Sequence, residues 1–299
     1  MRLIGAGKKW QDSCMNLAQK YRFGLFAQFC SVLLLWCAFS PLVAMPLYER
    51  ILFFPDKSDP AVIFKSFGGD LTGACQSVKT VRFSNHGADL SGYFFRLNDA
   101  APVALVSHGN GGNLGHRARL ASALLKSGYS VFLYDYQGYG LSSGTASIKG
   151  VVSDAVAAYD YLIGEEHIPT SHIVGYGESL GTGVTSELSR QRPLRGIVLQ
   201  SGFPSLTWAA HDRLWFTWMY PTSWFDDLDC LKAVSGEHAP LMIIHGTKDQ
   251  AFATRYAHLL YNKASGDKTL CIIKGMTHNL DDSENFEFLA ALRRFAREL

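Results

Sequence analysis

Ser179 is the residue whose type and spacing most clearly suggest a chemistry in this sequence. It is the centre of Gly177-x-Ser179-x-Gly181, between an apolar run that begins at His172 and a helical pattern. This spacing is typical of a sharp strand-to-helix turn, which strains the serine backbone and exposes its hydroxyl at the sheet edge, while the glycines leave room for the turn. The pattern predicts that Ser179 is a nucleophile.

A second serine, Ser142, has the same glycine spacing in Gly140-x-Ser142-x-Gly144. Its context differs, because Gly140 comes five positions after Asp135 and the next helical pattern starts only near Ser147. No tight strand-to-helix turn therefore holds Ser142, and we favour Ser179. We interpret Asp135 as a structural hydrogen-bond acceptor in its loop.

A nucleophilic serine needs a base and an acid, and later strand ends offer both. His278 follows a strand through a short loop, where its imidazole can take the serine proton and return it to the leaving group. His258, by contrast, falls inside a helical pattern. Asp249 comes just past an earlier strand, where a carboxylate can orient the imidazole and stabilise its charged form. Rival acids precede that strand or flank the histidine: Asp226, Asp227, Asp229, Asp281 and Asp282.

A glycine-rich stretch, His108–Asn113, follows another strand and has three glycines in six residues. Such a loop lets backbone amides approach the negative oxygen of a tetrahedral intermediate. We expect the amides of Asn110 and Leu180 to be the two oxyanion donors. The alternatives are an ordinary turn or a phosphate loop, and the spacing of phosphate-binding motifs is absent.

The elements that must position these residues alternate along the chain. Apolar runs that alternate with helical patterns predict an α/β fold with a mostly parallel central sheet covered by helices on both faces. The predicted strands are 78–83, 90–96, 102–107, 130–134, 172–176, 196–200, 241–244 and 269–273, and the predicted helices are 114–126, 147–163, 179–190, 252–263 and 284–297. Residues 46–71 are predicted as a linker with a turn at Phe53–Asp56.

An aromatic segment interrupts the alternation after Gln200. Residues 208–225 hold four of the six tryptophans. We expect residues 202–238 to form a small cap over the site, with Trp215, Trp218 and Tyr220 as candidate contacts for an apolar acyl group or for lipid headgroups. The alternative is a helical hairpin packed on the domain.

The first 45 residues form a leader. Residues 1–22 are basic, and residues 23–45 carry no charge over a length that as a helix would rise about 35 Å, enough to cross a hydrocarbon core. We favour an uncleaved anchor over a cleaved signal peptide. The basic flank places the body, residues 46–299, on the outer (periplasmic or luminal) side of the membrane. Signal cleavage would instead give a secreted protein.

Composition and charge exclude some classes of function. The net charge of +2 combines +4 in residues 1–22 with −2 in the rest, so the body has no basic surface suited to nucleic acid. Six scattered cysteines give neither a disulfide framework nor a metal-ligand spacing, although one bridge such as Cys75 to Cys230 stays an alternative to free thiols. We expect no metal and no organic cofactor.

The ordered motifs resemble those of an α/β-hydrolase, and more narrowly those of its small-cap, membrane-tethered branch, which includes bud-emergence-related hydrolases and mammalian protein depalmitoylases. The motifs are His108–Asn113, Asp135–Gly140, Gly177–Gly181, His245–Asp249 and Gly275–His278. The resemblance implies a serine hydrolase of carboxylic esters or thioesters with a hydrophobic acyl group. Two alternatives stay open, a serine aminopeptidase or amidase and a non-catalytic membrane-bound binding protein. The resemblance leaves the oligomeric state open.

Overall fold

A computed structural model describes residues 3–67, 71–280 and 285–299 of the chain. It divides the chain into two compact units. The smaller unit comprises Met1–Tyr48 and Tyr220–Phe225, and the larger comprises Glu49–Met219 and Asp226–Leu299. The segment 220–225 of the predicted cap thus belongs with the leader.

The smaller unit is built on a long helix, α1 (Leu3–Ala38), which is followed by α2 (Pro41–Leu52). Tyr21–Ala38 within α1 is long and apolar enough to cross a membrane, by length and composition. Near the end of this stretch, the Trp36 ring lies 5.3 Å from that of Tyr220 and 5.7 Å from that of Trp224, centroid to centroid. The Tyr220 hydroxyl also donates a hydrogen bond to the Trp36 carbonyl at 2.8 Å. These three aromatic residues therefore join the leader to residues 220–225.

The larger unit is organised around one sheet, in which eight strands are seen among the described residues. The strands are β2 (Ser77–Asn85), β3 (Ala88–Arg96), β4 (Val103–Ser107), β6 (Ser130–Tyr134), β7 (Ile173–Glu178), β8 (Gly196–Gln200), β9 (Leu241–Gly246) and β10 (Lys268–Ile273). Their order is β10-β9-β8-β7-β4-β6-β3-β2. The pairings from β10 to β6 are parallel, whereas β3 pairs antiparallel with both β6 and β2. A separate two-stranded pair joins β1 (Phe54–Pro55) to β5 (Gly111–Gly112).

Helices connect the strands and cover the sheet. They are α3 (Pro60–Phe67), α4 (Ala118–Lys126), α5 (Ile148–Gly164), α6 (Leu180–Ser189), α7 (Leu206–Arg213), α8 (Cys230–Ser235), α9 (Arg255–Lys263) and α10 (Phe286–Glu298). Every residue of β4, β6, β7 and β8 is buried. This burial explains why these strands are short apolar runs without alternation, as in a parallel sheet covered on both faces. The predicted α/β architecture is confirmed.

The predicted linker 46–71 is wrong for most of its length. The structure forms α2 as far as Leu52, then β1, and then α3. Strand β1 is held by the glycine-rich loop, because the Phe54 amide donates to the Asn110 carbonyl and the Asp56 amide to the Gly112 carbonyl, each at 2.9 Å. A pairing between segments so far apart in sequence leaves no local pattern to detect.

Two predicted helices begin later in the structure than the pattern suggested. Residues 114–117 form a 3₁₀ turn before α4. Helix α9 starts at Arg255 and not at Phe252, and the amides of Ala251 and Phe252 donate to the Asp249 carboxylate in the loop before it. The predicted start of the last helix, Glu284, lies outside the described residues.

Candidate active site

Ser179 occupies the turn between β7 and α6, with φ 54° and ψ −117°. A non-glycine residue with positive φ is strained by about 1–3 kcal/mol. The flanking glycines permit this turn, since an added Cβ would lie 2.4 Å from the Gly181 carbonyl oxygen at Gly177 and 1.8 Å from the Ser107 carbonyl oxygen at Gly181. Only glycine fits at these two positions, so the turn can press against β4 and hold Ser179 at the carboxyl end of the sheet.

His278 contacts both Ser179 and Asp249. Its Nε2 lies 2.8 Å from the Ser179 Oγ, and its Nδ1 lies 3.0 and 2.9 Å from the two Asp249 carboxylate oxygens. Since the carboxylate accepts, Nδ1 carries a proton and Nε2 is left to accept the serine proton. The structure thus brings together three side chains that the sequence separates by up to 99 positions.

Asp249 is a buried carboxylate with a full set of donors. Besides His278, it accepts from the amides of Ala251 and Phe252 at 2.8 Å each. The His245 Nε2 lies 3.2 Å from its Oδ2 and 3.0 Å from the Phe252 carbonyl oxygen. Burial alone would raise the pKa of Asp249, but the hydrogen bonds from His245, His278 and the Phe252 amide outweigh it and hold the pKa well below its ordinary value. Asp249 therefore stays ionised beside His278.

The two loops that carry Asp249 and His278 are tied to each other. The Lys248 amide donates to the Met276 carbonyl at 3.0 Å, and an added Cβ at Gly246 would lie 2.1 Å from that same carbonyl oxygen. From the other side, the Ser201 hydroxyl donates to the His278 carbonyl at 2.8 Å. The close approach at Gly246 explains why the acid and the base meet at the ends of the neighbouring strands β9 and β10.

The glycine-rich loop lies beside Ser179, because an added Cβ at Gly109 would be 3.4 Å from the Ser179 Cβ. Its carbonyls all point into the protein, and each accepts a hydrogen bond from a protein group. The Tyr136 hydroxyl donates to the His108 carbonyl, and the His108 imidazole donates to the Gly109 carbonyl. The Asn110 carbonyl accepts from the Phe54 amide and the Tyr139 hydroxyl. The Gly111 carbonyl accepts from the Arg117 guanidinium, and the Gly112 carbonyl accepts from the Asp56 amide.

This arrangement orients the Asn110 amide. In a trans peptide the N–H points opposite to the preceding carbonyl, so the bond from His108 to the Gly109 carbonyl turns the Asn110 N–H the other way. Among the described residues, the Asn110 amide donates to no acceptor. Leu180, the other predicted donor, is the first residue of α6, where amides lack intrahelical acceptors.

The competing residues have other partners. The Ser142 hydroxyl donates to the Asp135 carbonyl at 2.8 Å and accepts from the Ser91 amide at 3.0 Å. Asp135 accepts from the Leu114 amide at 2.7 Å. Among the rival acids, Asp226 pairs with a lysine. Asp227 and Asp229 each accept from a backbone amide near the start of a helix, α7 and α8 respectively. The other two, Asp281 and Asp282, lie outside the described residues.

The structure does not bring the three predicted aromatic contacts together. Trp215 and Trp218 are 77% and 69% exposed, and the Trp218 indole donates to the His211 carbonyl. Tyr220 instead packs with Trp36 in the smaller unit.

Phe252 is an aromatic ring beside the His278 imidazole, with its centroid 5.5 Å from that of His278. The sequence pattern predicts a helix over residues 252–263, so Phe252 is not among the predicted site residues. The available signal was its position three residues after Asp249.

No group of side chains suited to a metal ion is found in the part of the chain that the structure describes. The cysteines described there are free thiols, namely Cys30, Cys37, Cys75, Cys230 and Cys271. Burial raises the pKa of the Cys230 thiol to about 12, which makes it a structural group at neutral pH.

Comparisons with known proteins agree with this fold. The chain belongs to the α/β-hydrolase superfamily, in the branch of the α/β-hydrolase domain-containing proteins, which confirms the resemblance seen in its motifs. The matching family model is that of the serine aminopeptidases, S33, over residues 98–228.

The relatives include proteins of both unknown and known activity. An uncharacterised Mycobacterium tuberculosis protein, Rv2307c, is 34% identical over 218 residues, which cover 71% of this chain and 76% of that protein. The lysophosphatidylserine lipase ABHD12 of Danio rerio is 30% identical over 61% of this chain and 52% of its own length. Matches also include α/β-hydrolase domain-containing proteins of animals and a plant, among them protein 17C of Xenopus laevis.

Among solved structures, the Pyrococcus furiosus esterase Pf2001 superposes with a TM-score of 0.65 at 16% identity, over 83% of this chain and 98% of that one. At this identity the likeness concerns the fold alone. The family, and not this likeness of fold, makes the chain a hydrolase.

Proposed function

We propose that the protein is a serine hydrolase that cleaves carboxylic esters or thioesters with a hydrophobic acyl group. The observation that carries the proposal is His278, whose two ring nitrogens contact Ser179 and Asp249 at hydrogen-bond distance. This arrangement supplies a nucleophile, a general base and an orienting carboxylate in one site.

The chemistry proceeds in two halves. The Ser179 Oγ attacks the acyl carbon while His278 Nε2 takes its proton, and the amides of Asn110 and Leu180 stabilise the oxyanion. His278 then gives the proton to the departing alcohol or thiol, which leaves an acyl-enzyme. Water, deprotonated by His278, attacks the acyl carbon and releases the carboxylic acid, and Ser179 recovers its proton.

The surroundings of the triad favour an apolar acyl group. The Phe252 ring lies beside His278 and packs 5.3 Å from the buried ring of Phe203, centroid to centroid. The names of the related esterase and lipase agree with an ester or a lipid-like substrate. The exposed Trp215 and Trp218 remain candidates for lipid or substrate contact, although no described contact joins either to the triad.

The leader adds a location to the proposal. We propose that Tyr21–Ala38 anchors the protein as a single span and that the basic residues before it stay cytoplasmic, which places the catalytic domain on the outer side. A cleaved leader would give a secreted enzyme.

Two variants test the proposed reaction. Ser179→Ala should abolish labelling by a fluorophosphonate probe, and His278→Ala should abolish turnover of p-nitrophenyl esters, because each removes a reacting group. Ser142→Ala is the matched control and should label like wild type. Equal labelling of the Ser179→Ala and wild-type proteins would refute the assignment, and absence of any turnover by the wild type would favour the non-catalytic binding protein.

A second candidate, a serine aminopeptidase or amidase, is favoured by the description of the matching family model. It predicts cleavage of aminoacyl p-nitroanilides by the same triad. A panel of p-nitrophenyl esters, thioesters and aminoacyl anilides of graded size, run on the full-length protein, ranks the two candidates by kcat/KM.

A further inference from the structure

The two proposed oxyanion donors lie on separate segments, and catalysis depends on the distance between them. Asn110 belongs to the glycine-rich loop, whereas Leu180 follows the nucleophile at the start of α6. An oxyanion accepts from both amides only when these segments are held in register, because such donors must lie about 2.7–3.1 Å from the developing charge. One side chain contacts both segments.

That side chain is Arg117, at the end of the 3₁₀ turn before α4. Its Nη2 donates to the Gly111 carbonyl at 3.0 Å, one residue beyond Asn110. Its Nε forms an ion pair with the carboxylate of Glu178, the residue just before Ser179. An added Cβ at Gly109 would lie 3.1 Å from the Arg117 Nη2, so the guanidinium lies against the loop beside the nucleophile.

We propose that Arg117, paired with Glu178, is a positioning residue that sets the spacing of the oxyanion site by joining the glycine-rich loop to the nucleophile turn. The inference rests on the proposed serine hydrolase function, since it concerns the oxyanion of that reaction.

The burial of the pair supports a positioning role. The side chains of Arg117 and Glu178 are only 11% and 4% exposed. Two charges removed from water are weak contributors to stability, because desolvation offsets their attraction. A planar guanidinium spreads its charge over three nitrogens, so one group can pair with a carboxylate on one segment through its charge and donate to a carbonyl on the other. A lysine ammonium, a point charge on a flexible stem, keeps the attraction but loses this geometry.

The test measures kcat and KM for a p-nitrophenyl ester with the full-length protein, and the inhibition constants of two ketones. The Ser179 hydroxyl adds to the carbonyl carbon of a trifluoromethyl ketone and forms an oxyanion. The matching methyl ketone resists this addition, so its inhibition constant reports only non-covalent binding in the site. We expect Arg117→Met to lower kcat about 10- to 100-fold, a fraction of the loss from deleting a donor, with KM changed less than about threefold. The affinity for the trifluoromethyl ketone should fall in proportion to kcat, and that for the methyl ketone should not change.

Three further variants sharpen the result. Arg117→Lys should fall between wild type and Arg117→Met, and it also decides the matter if the methionine variant does not fold. Glu178→Gln should lower kcat in a way that is not additive with Arg117→Met, because the two residues act as one unit. Arg190→Met breaks an exposed pair with Glu187 and should leave all four constants unchanged.

Two outcomes would overturn the inference. One is an Arg117→Met and an Arg117→Lys enzyme with wild-type kcat and trifluoromethyl ketone affinity. The other is an equal loss of affinity for both ketones, which indicates a general structural role. Failure of the proposed function itself appears separately, as turnover that survives Ser179→Ala.

Discussion

At the scale of single residues, the Asp249 carboxylate is held by more than His278. His245 is fully buried at the end of β9, and its Nε2 faces two acceptors, the Asp249 carboxylate and the Phe252 carbonyl. Nε2 must therefore carry a proton. His245 thus supplies a donor that Asp249 would otherwise lack inside the protein.

We expect His245→Gln and His245→Met to behave differently. The glutamine amide can place a donor near the position of Nε2 and should keep kcat within about threefold. Methionine leaves Asp249 short of one donor, a loss of about 1–3 kcal/mol that corresponds to roughly 5- to 150-fold in kcat. Steady-state kinetics on p-nitrophenyl esters checks this. Equal activity of the two variants would show that the donor is unimportant.

The same variants should differ in their stability at low pH. Because the folded-state pKa of Asp249 is lowered, its ionisation stabilises the fold above the ordinary carboxyl pKa of about 4, and this stability is lost as pH falls through the lower folded value. Removing the His245 donor raises the folded pKa and shrinks that contribution. The free energy of unfolding should therefore fall less steeply between about pH 5 and pH 2 in His245→Met than in wild type or His245→Gln.

At the scale of elements, close backbone contacts between strand ends shape the site. Gly181 in α6 lies against the end of β4, and an added Cβ would be 1.8 Å from the Ser107 carbonyl oxygen. We expect Gly181→Ala to lower the free energy of unfolding by about 1–3 kcal/mol through overpacking. Urea denaturation checks this value.

Gly164, the last residue of α5, is the control for that substitution, because no atom lies within 4 Å of an added Cβ there. Alanine at 164 should be neutral or stabilising by up to about 1 kcal/mol. Equal effects at the two positions would mean that the contact between α6 and β4 is not tight.

The elements also mark how far sequence reasoning reaches. Apolar runs with turn residues predicted the strands to within a few residues, and two of them, 130–134 and 196–200, match the structure at both ends. These patterns are local, as are the glycines around Ser179. Strand β1 depends on pairing with a loop more than fifty residues away. Long-range hydrogen bonds of this kind leave no period in the sequence.

In the candidate site too, local patterns are predictable from the sequence and contacts formed on folding are not. Ser179, Asp249 and His278 were proposed from motifs and from their order, and the structure brings their side chains within hydrogen-bond distance. Of their buried partners, His245 and Glu178 lie inside motifs and Arg117 lies outside them, and the motifs assign a role to none of the three. The pairing of Arg117 with Glu178 joins segments that are adjacent only in space, and the contact of His245 with Asp249 is visible only once the loop after β9 is formed.

At the scale of the whole molecule, the aromatic segment has a partner that the sequence did not reveal. Tyr220 and Trp224, predicted as part of the cap, pack on Trp36 of the leader helix. Aromatic pairs of this kind are worth about 0.5–1.5 kcal/mol each beyond the area they bury. Loss of the leader would remove Trp36 and leave these rings without that partner, which favours a retained leader over a cleaved signal peptide.

We therefore expect truncation to depend on where it ends. Removal of residues 1–20 keeps Trp36, and its product should melt like the full chain in detergent. Removal of residues 1–45 takes Trp36 away, so residues 220–225 should become accessible to limited proteolysis, with cleavage after Trp224 or Phe225 by chymotrypsin. The substitution Trp36→Ala in the full chain should give the same cleavage to a smaller degree, whereas Trp215→Ala should not add it. If the 46–299 protein resists chymotrypsin at these sites as well as the full chain does, or if the mature membrane protein has the mass of a cleaved form, the aromatic contact does not hold the leader.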